Sequence, residues 1–149
     1  MPSDLWSFAQ NLYARPGIES ACLQLQQHGA DVCVLLSAAW LQQRGIACTP
    51  ARAAALRALA EPWQSEVITP LRQLRKGWRE AAGHDEALRV LREQIKALEL
   101  QAEQQLLERL QQATTDWLKG ETEGDWLAAV AGQHDHDALQ VLRAAITHT

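Results

Sequence analysis

Apolar residues fill nearly every position of one short segment in the first third of the chain. Within residues 32–41 only Ser37 is polar, and Asp31 directly before them can cap a helix. A surface helix has one apolar stripe, whereas a helix that is apolar on all sides must be enclosed by other elements. We therefore predict a buried central helix over residues 31–44, ended by Gly45 in a left-handed conformation.

Elsewhere the apolar residues recur every three or four positions, which is the period of amphipathic helices. Such stripes predict two helices before the central one and two short helices near the end of the chain. The stripes are Leu5, Phe8, Ala9 and Leu12; Ile18, Ala21, Cys22 and Leu25; residues 126–130; and Leu139, Leu142 and Ile146.

Prolines and capping residues predict where the middle helices begin and end. Thr49-Pro50 combines an N-cap with proline at the first helical position, so a fourth helix begins there and is expected to end near Ala60. Glu61-Pro62 predicts the start of a fifth helix. Pro70 lies within that pattern and predicts a kink or a break.

The longest predicted helix begins at Asp85, a second candidate cap. Its stripe first alternates steps of three and four, as in a coiled-coil seam, and then shifts phase after Ala102. Because that shift disfavours one uniform dimer seam, we expect packing within the chain and favour a monomer over a homodimer. The stripe residues are Leu88, Leu91, Ile95, Leu98, Ala102, Leu106, Leu110, Ala113 and Trp117.

No segment alternates apolar and polar residues between hairpin turns, so strands are not expected. The 149 residues suit one domain. We predict an all-α, single-domain bundle over residues 1–149, with about seven or eight helices around the buried helix at 31–44. Residues 81–149 would supply the long helix and acidic carboxy-terminal helices.

Several motifs in the amino-terminal half resemble an uncharacterised proteobacterial family of small proteins of unknown function. They are Leu5-Trp6-Ser7-Phe8-Ala9, Pro16-Gly17, Cys22-Leu23-Gln24-Leu25-Gln26, Gly29-Ala30-Asp31-Val32, and Leu35-Leu36 with Trp40. The resemblance extends over about residues 1–80. It implies a bacterial cytoplasmic protein outside the familiar enzyme classes, and it supplies no activity, cofactor or catalytic residue.

The cysteines and the amino terminus both favour a cytoplasmic location. Cys22, Cys33 and Cys48 are odd in number and form no CxxC pair, as expected in a reducing compartment. The first residues lack the features of a signal peptide, and the apolar run at 32–41 is too short to cross a bilayer. We expect no membrane association. A nucleophilic thiol near His28 is an alternative to the expected inert core thiols.

Charge is distributed unevenly along a chain whose net charge is −4. Residues 44–79 carry seven Arg or Lys against two Glu, whereas residues 80–149 carry six against thirteen acidic residues. Within the basic part, helical spacing places Arg72, Arg75, Lys76 and Arg79 on one face, with Trp78 beside them. This basic stripe is the candidate site for an anionic partner such as RNA. Alternatively, the same face meets the acidic long helix or is merely solvated.

His134-Asp135-His136-Asp137 is the stretch with the most metal-ligand character. Neighbours one or two apart do not share a helical face, and no partner ligands are evident, so we interpret it as a loop and N-cap. We predict no metal, no cofactor and no catalytic residue. The chain also lacks the glycine-rich phosphate-binding and GxSxG motifs.

These observations favour a non-catalytic bacterial interaction or adaptor protein with a protein partner. One alternative is an RNA- or ribosome-associated factor that uses the basic stripe at 72–79. Another is a small ligand-binding protein or enzyme with a Trp-lined pocket, since the chain has six Trp but one Tyr and one Phe.

Overall fold

The computed structural model describes residues 5–27, 30–117, 125–131 and 136–147, and these ranges contain helices and no β-strand. The predicted all-α, multi-helix fold is therefore confirmed. No described helix is both long enough and apolar enough to span a membrane. The helices are α1 (Leu5–Tyr13), α2 (Ile18–Gln27), α3 (Val32–Gln43), α4 (Pro50–Trp63), α5 (Thr69–Gly77), α6 (Arg79–Ala82), α7 (Glu86–Ala113), α8 (Trp126–Ala131) and α9 (His136–Thr147).

Helix α3 lies at the centre, as its composition predicts. All of residues 32–41 are buried, and α1, α2, α4, α7, α8 and α9 pack around them. Asp31 accepts hydrogen bonds from the backbone N–H of Cys33 and of Val34, and so caps the helix. The Ser37 hydroxyl donates to the main-chain oxygen of Cys33 at 2.9 Å. The hydroxyl of Ser37 therefore costs little to bury, because its hydrogen bond is made within the helix.

Helices α1 and α2 bury the residues that their stripes predict, and they form one side of the core. The turn between them contains Gly17, with φ of 84°. Gly45 ends α3 with φ of 72°, the left-handed conformation expected there.

The predicted boundary at Ala60 is wrong. Helix α4 continues through Pro62 to Trp63 and leads into a π-helical turn, Gln64–Ile68, before α5. The Trp63 side chain explains the continuation, since its Nε1–H donates to the main-chain oxygen of Ala102 on α7 at 2.9 Å. This tertiary anchor holds the chain in a helical path that Pro62 alone would disfavour. Pro70 lies in the first turn of α5, two residues after the π-helical turn ends, and the kink or break predicted at Pro70 itself stays a prediction.

The seam predicted for the first half of α7 is only partly buried. Leu91 and Leu98 are 49% and 48% exposed, and burial in the core begins at Glu99 and Ala102. The helix packs on α5, α6 and the π-helical turn, and also on α1, α3 and α4. Its buried residues all lie from the middle of the helix onward, and they are Glu99, Ala102, Leu106, Leu107 and Leu110.

Candidate partner-binding cleft

A cleft of about 460 Å³ runs along one side of α7, and we call it the main cleft. Helices α1 and α2 form the opposite wall, α5 closes one end, and the first turns of α3 form the floor. Helices α1 and α7 lie together because the backbone N–H of Leu5 donates to Gln111 Oε1 at 2.8 Å. The chain thus brings five helices together around one concave surface.

A buried ion cluster forms the α5 end of the main cleft. The Glu99 carboxylate accepts from Arg75 Nε at 2.6 Å and from Arg72 Nε at 3.2 Å, and its side chain is only 9% exposed. With its amide oxygen turned inward, Gln26 also accepts from Arg72 Nη1 at 2.8 Å. The hydrogen bond to Glu99 raises the pKa of Arg75. Two arginines therefore share one carboxylate, which leaves the cluster with one net positive charge.

The ion cluster includes only two members of the basic stripe at 72–79. Arg72 and Arg75 turn inward to Glu99, whereas Lys76 and Arg79 are exposed and Trp78 is half-buried. Arg72 and Arg75 thus meet the acidic long helix, whereas the exposure of Lys76 and Arg79 is compatible both with solvation and with an anionic partner.

Glu103 lies one turn beyond Glu99 on the same wall of the main cleft. The pKa of its carboxyl is raised to about 7, mainly by burial. The charges of Glu99 and Asp31 act in the same direction, whereas Arg72 and Arg75 lower the pKa. Among the residues that the structure describes, none donates a hydrogen bond to this carboxylate. Glu103 therefore differs from Glu99, whose charge is fully compensated.

Tyr13 on α1 lies close to the same group of charges. The pKa of its hydroxyl is raised to about 12, mainly by burial; Cys22, Glu19 and Glu103 act in the same direction, and Arg72 opposes them. Burial also raises the pKa of Asp31, the N-cap of α3, which borders a second cavity rather than the main cleft. The main cleft thus has carboxylates near Tyr13 and two arginines at its α5 end.

Apolar side chains border the mouth of the main cleft. Leu23 on α2 and Leu100 on α7 stand on opposite walls, 45% and 55% exposed, and Trp6 on α1 is half-buried. Leu100 is the most exposed of the large apolar residues in the described part of the chain. Exposed apolar side chains that border a concave surface are typical of binding sites.

Residues 4–110 match the sequence profile of a family described as "Protein of unknown function (DUF2390)". The chain belongs to the DUF2390 family. This confirms the resemblance to an uncharacterised family, and the match continues past residue 80 through most of α7. Every residue that lines the main cleft lies within the range matched by the DUF2390 profile. No curated protein and no solved structure matches this DUF2390 chain.

A second, smaller cavity of about 260 Å³ lies beside the π-helical turn of this DUF2390 protein. Asp31, Arg57, Glu61 and Gln64 line it. The Gln64 Oε1 atom is buried without a hydrogen-bond partner. Because that atom is shielded from solvent, it is not available to an occupant of the cavity, and the main cleft is the stronger candidate site.

The other residues considered from sequence are not gathered into a reactive centre in the described ranges. Burial raises the pKa of Cys22 to about 12 and that of Cys33 well above its ordinary value, so both remain protonated thiols and poor nucleophiles. His28, His134 and Asp135 lie outside the described residues, as does the side chain of His136. Within the described residues no three His, Cys, Asp or Glu side chains form a group that could hold a metal ion.

The tryptophans of the DUF2390 protein divide between the core and the cavities, since Trp40 and Trp117 line a small cavity of about 180 Å³. Trp126 is fully buried, donates from Nε1 to the Ile46 oxygen at 2.7 Å, and stacks on Trp117 with ring centroids 5.9 Å apart. Trp63 lies under Arg109, whose guanidinium is 3.9 Å from the ring centroid. Only Trp6 among the tryptophans lines the main cleft in the described structure.

Sequence reasoning missed Glu99 and Glu103, the two acidic residues that define the main cleft. The spacing offered one clue: Glu99 is four residues from Ile95 and three from Ala102, so it shares their inward face. A carboxylate on the inward face of an amphipathic helix requires a cationic partner. The basic stripe at 72–79 contains the cations that could pair with such a carboxylate.

Proposed function

We propose that this DUF2390 protein is a non-catalytic interaction protein of the bacterial cytoplasm that binds a segment of a partner protein in the main cleft. The observation that carries the proposal is the pairing of Leu23 and Leu100, exposed on opposite walls of a preformed concave surface. A bound apolar side chain between them would remove both from water, and this burial is the main driving force of such association.

The shape of the main cleft favours a protein segment. Its α7 wall extends from Lys96 to Leu107, a distance of about 16 Å at the helical rise per residue. An extended peptide of about five residues spans that length. Polar and apolar groups alternate along this wall, so a chain with mixed side chains finds partners throughout.

The alternatives have less support in the geometry. An RNA-binding face requires several exposed cations, and Arg72 and Arg75 are both bound to Glu99. A small-molecule pocket has a volume of at least about 300 Å³, whereas the cavity lined by Trp40 and Trp117 measures about 180 Å³, and Trp6 is the one tryptophan that the structure places along the main cleft in its described part. A catalytic thiol requires a lowered pKa, whereas burial raises the pKa of each cysteine.

A displayed random-peptide library, selected on the purified protein, tests the proposal. The double variant Leu23→Gln/Leu100→Gln removes the apolar mouth of the main cleft. The double variant Leu91→Gln/Leu98→Gln is the matched control, because these leucines are equally exposed on α7 but lie outside the main cleft. Peptides enriched on the wild type should lose binding to the first variant by at least about tenfold and keep it on the second.

Circular dichroism would verify that both variants retain the helical fold. If no peptide is enriched, or if every enriched peptide binds both variants equally, the proposed function is wrong.

A further inference from the structure

Glu103 has a hydrogen-bonding capacity that the described part of the protein does not use. Both arginines near it donate to Glu99 instead, and Lys96 on the same wall pairs with Glu93 at 3.2 Å. A half-buried carboxylate without hydrogen-bond donors loses part of its hydration, and Arg72 and Arg75 offset only part of that cost, since the pKa of Glu103 remains raised. A ligand that donates a hydrogen bond to this carboxylate would offset the lost hydration on binding.

The charges around Glu103 determine whether such a ligand should be positively or negatively charged. Groups from every neighbouring element face this region, and three of them are cationic. They are Tyr13 on α1, Glu19 on α2, Asp31 and Cys33 at the start of α3, Arg72 and Arg75 on α5, and Lys96 and Glu99 on α7. Glu93 compensates Lys96 and Glu99 compensates one arginine, so one uncompensated arginine faces three carboxylates, those of Glu19, Asp31 and Glu103, and a cation is favoured there.

Aromatic rings lie on the opposite wall. Tyr13 is close enough to Glu103 for that carboxylate to raise the pKa of the tyrosine hydroxyl, and Trp6 lies two turns earlier on the same helix. Rings beside a carboxylate form a site that suits an ammonium or guanidinium group, because the ring face attracts cations and the carboxylate accepts their hydrogen bonds.

We infer that the partner segment held in the main cleft presents a lysine or arginine side chain to the Glu103 carboxylate, beside the ring of Tyr13. The inference rests on the proposed function, and it adds the interaction that makes the main cleft selective for particular segments. The exposed leucines supply affinity for any apolar segment, whereas Glu103 selects those with a correctly placed cation.

The test uses a peptide selected by its dependence on Leu23 and Leu100, labelled with a fluorophore and measured by fluorescence anisotropy. Replacing its basic residue with glutamine should weaken binding about tenfold, and Glu103→Gln should have the same effect on the parent peptide. Combining the two changes should cost no more than either alone, because both remove the same contact. Glu108→Gln, on an exposed position of α7 outside the main cleft, is the matched control and should leave affinity unchanged.

The pH dependence gives a second readout. Affinity of the parent peptide should fall between pH 8 and pH 6, since protonation of Glu103 removes the acceptor charge while the peptide cation remains charged. Binding to the Glu103→Gln variant should not change over that range.

The possible results separate the two claims. If selected peptides depend on Leu23 and Leu100 but carry no basic residue, or bind Glu103→Gln as well as wild type, the inference about Glu103 is refuted and the proposed function stands. If no peptide depends on the two leucines, both claims are refuted.

Discussion

Arg75 Nε lies 2.6 Å from Glu99 Oε1, and this contact joins the basic part of the chain to its acidic half inside the fold. A partly buried ion pair of this kind contributes little net stability by itself, but removing one member leaves the other uncompensated. Glu99→Gln would leave two arginines without a counter-ion. We expect it to lower the free energy of unfolding by about 2–4 kcal/mol, measured by chemical denaturation.

Glu93→Gln provides the control for that substitution. It makes the same chemical change on the same helix, but the pair between Glu93 and Lys96 is exposed. An effect of about 0.5 kcal/mol or less is expected there. Equal effects of the two substitutions would contradict the role assigned to Glu99.

Charge reversal separates the members of the basic stripe. Arg75→Glu should destabilise the protein markedly, because it places a second carboxylate beside Glu99. Arg79→Glu, on an exposed position, should leave stability within about 0.5 kcal/mol of wild type. Thermal melts of the two variants check this expectation. Salt-dependent retention of the wild type on RNA that Arg79→Glu abolishes would instead support an anionic partner at the exposed cations.

The pKa of Glu103 makes stability depend on pH. An acid whose folded pKa exceeds its unfolded value binds its proton more tightly when folded, so its stabilising effect is complete below about 4.5 and is lost as the pH rises through about 7. Glu103→Gln should therefore stabilise the protein by roughly 1–3 kcal/mol at pH 8 and by almost nothing at pH 4. Urea denaturation of wild type and variant at both pH values measures the difference. A variant that is less stable at pH 8 would show that the carboxylate is compensated after all.

The centre of the fold should be the most sensitive to loss of volume. Leu35→Ala and Leu36→Ala each remove a buried side chain from α3, and each should cost about 2–5 kcal/mol. Leu59→Ala, an exposed leucine on α4, is the comparison and should cost less than about 1 kcal/mol. Losses below half a kcal/mol at both Leu35 and Leu36 would mean that α3 is not the central helix.

Local patterns in the sequence predicted most of the helices correctly. Asp31, Thr49 and Asp85 each accept a backbone N–H at the helix start that they were expected to cap. Caps and apolar stripes are properties of a few consecutive residues, so sequence alone carries them. Pro62 was misjudged because the indole of Trp63 holds the helix together through a contact 39 residues away.

The candidate site depends on contacts of the same long range. Arg75 and Glu99 are 24 positions apart, and their pairing follows from the way α5 packs on α7. Nothing local distinguishes Arg75 from Arg79, or Glu103 from Glu108, since the members of each pair have the same charge and lie four or five positions apart in a helical segment. Only the packing of α1 and α2 against α7 decides which of these side chains faces the main cleft.

The π-helical turn Gln64–Ile68 determines the direction in which the side chains of α5 point around the helix axis. In such a turn a hydrogen bond spans one residue more than in an α-helix, as the bond from the Thr69 N–H to the Gln64 oxygen does. One residue corresponds to about 100° of rotation about the helix axis. Without that extra residue, Arg72 and Arg75 would point about a quarter-turn away from Glu99. The extra residue therefore acts as a rotational offset, which turns two arginines of an otherwise solvent-facing stripe toward the interior.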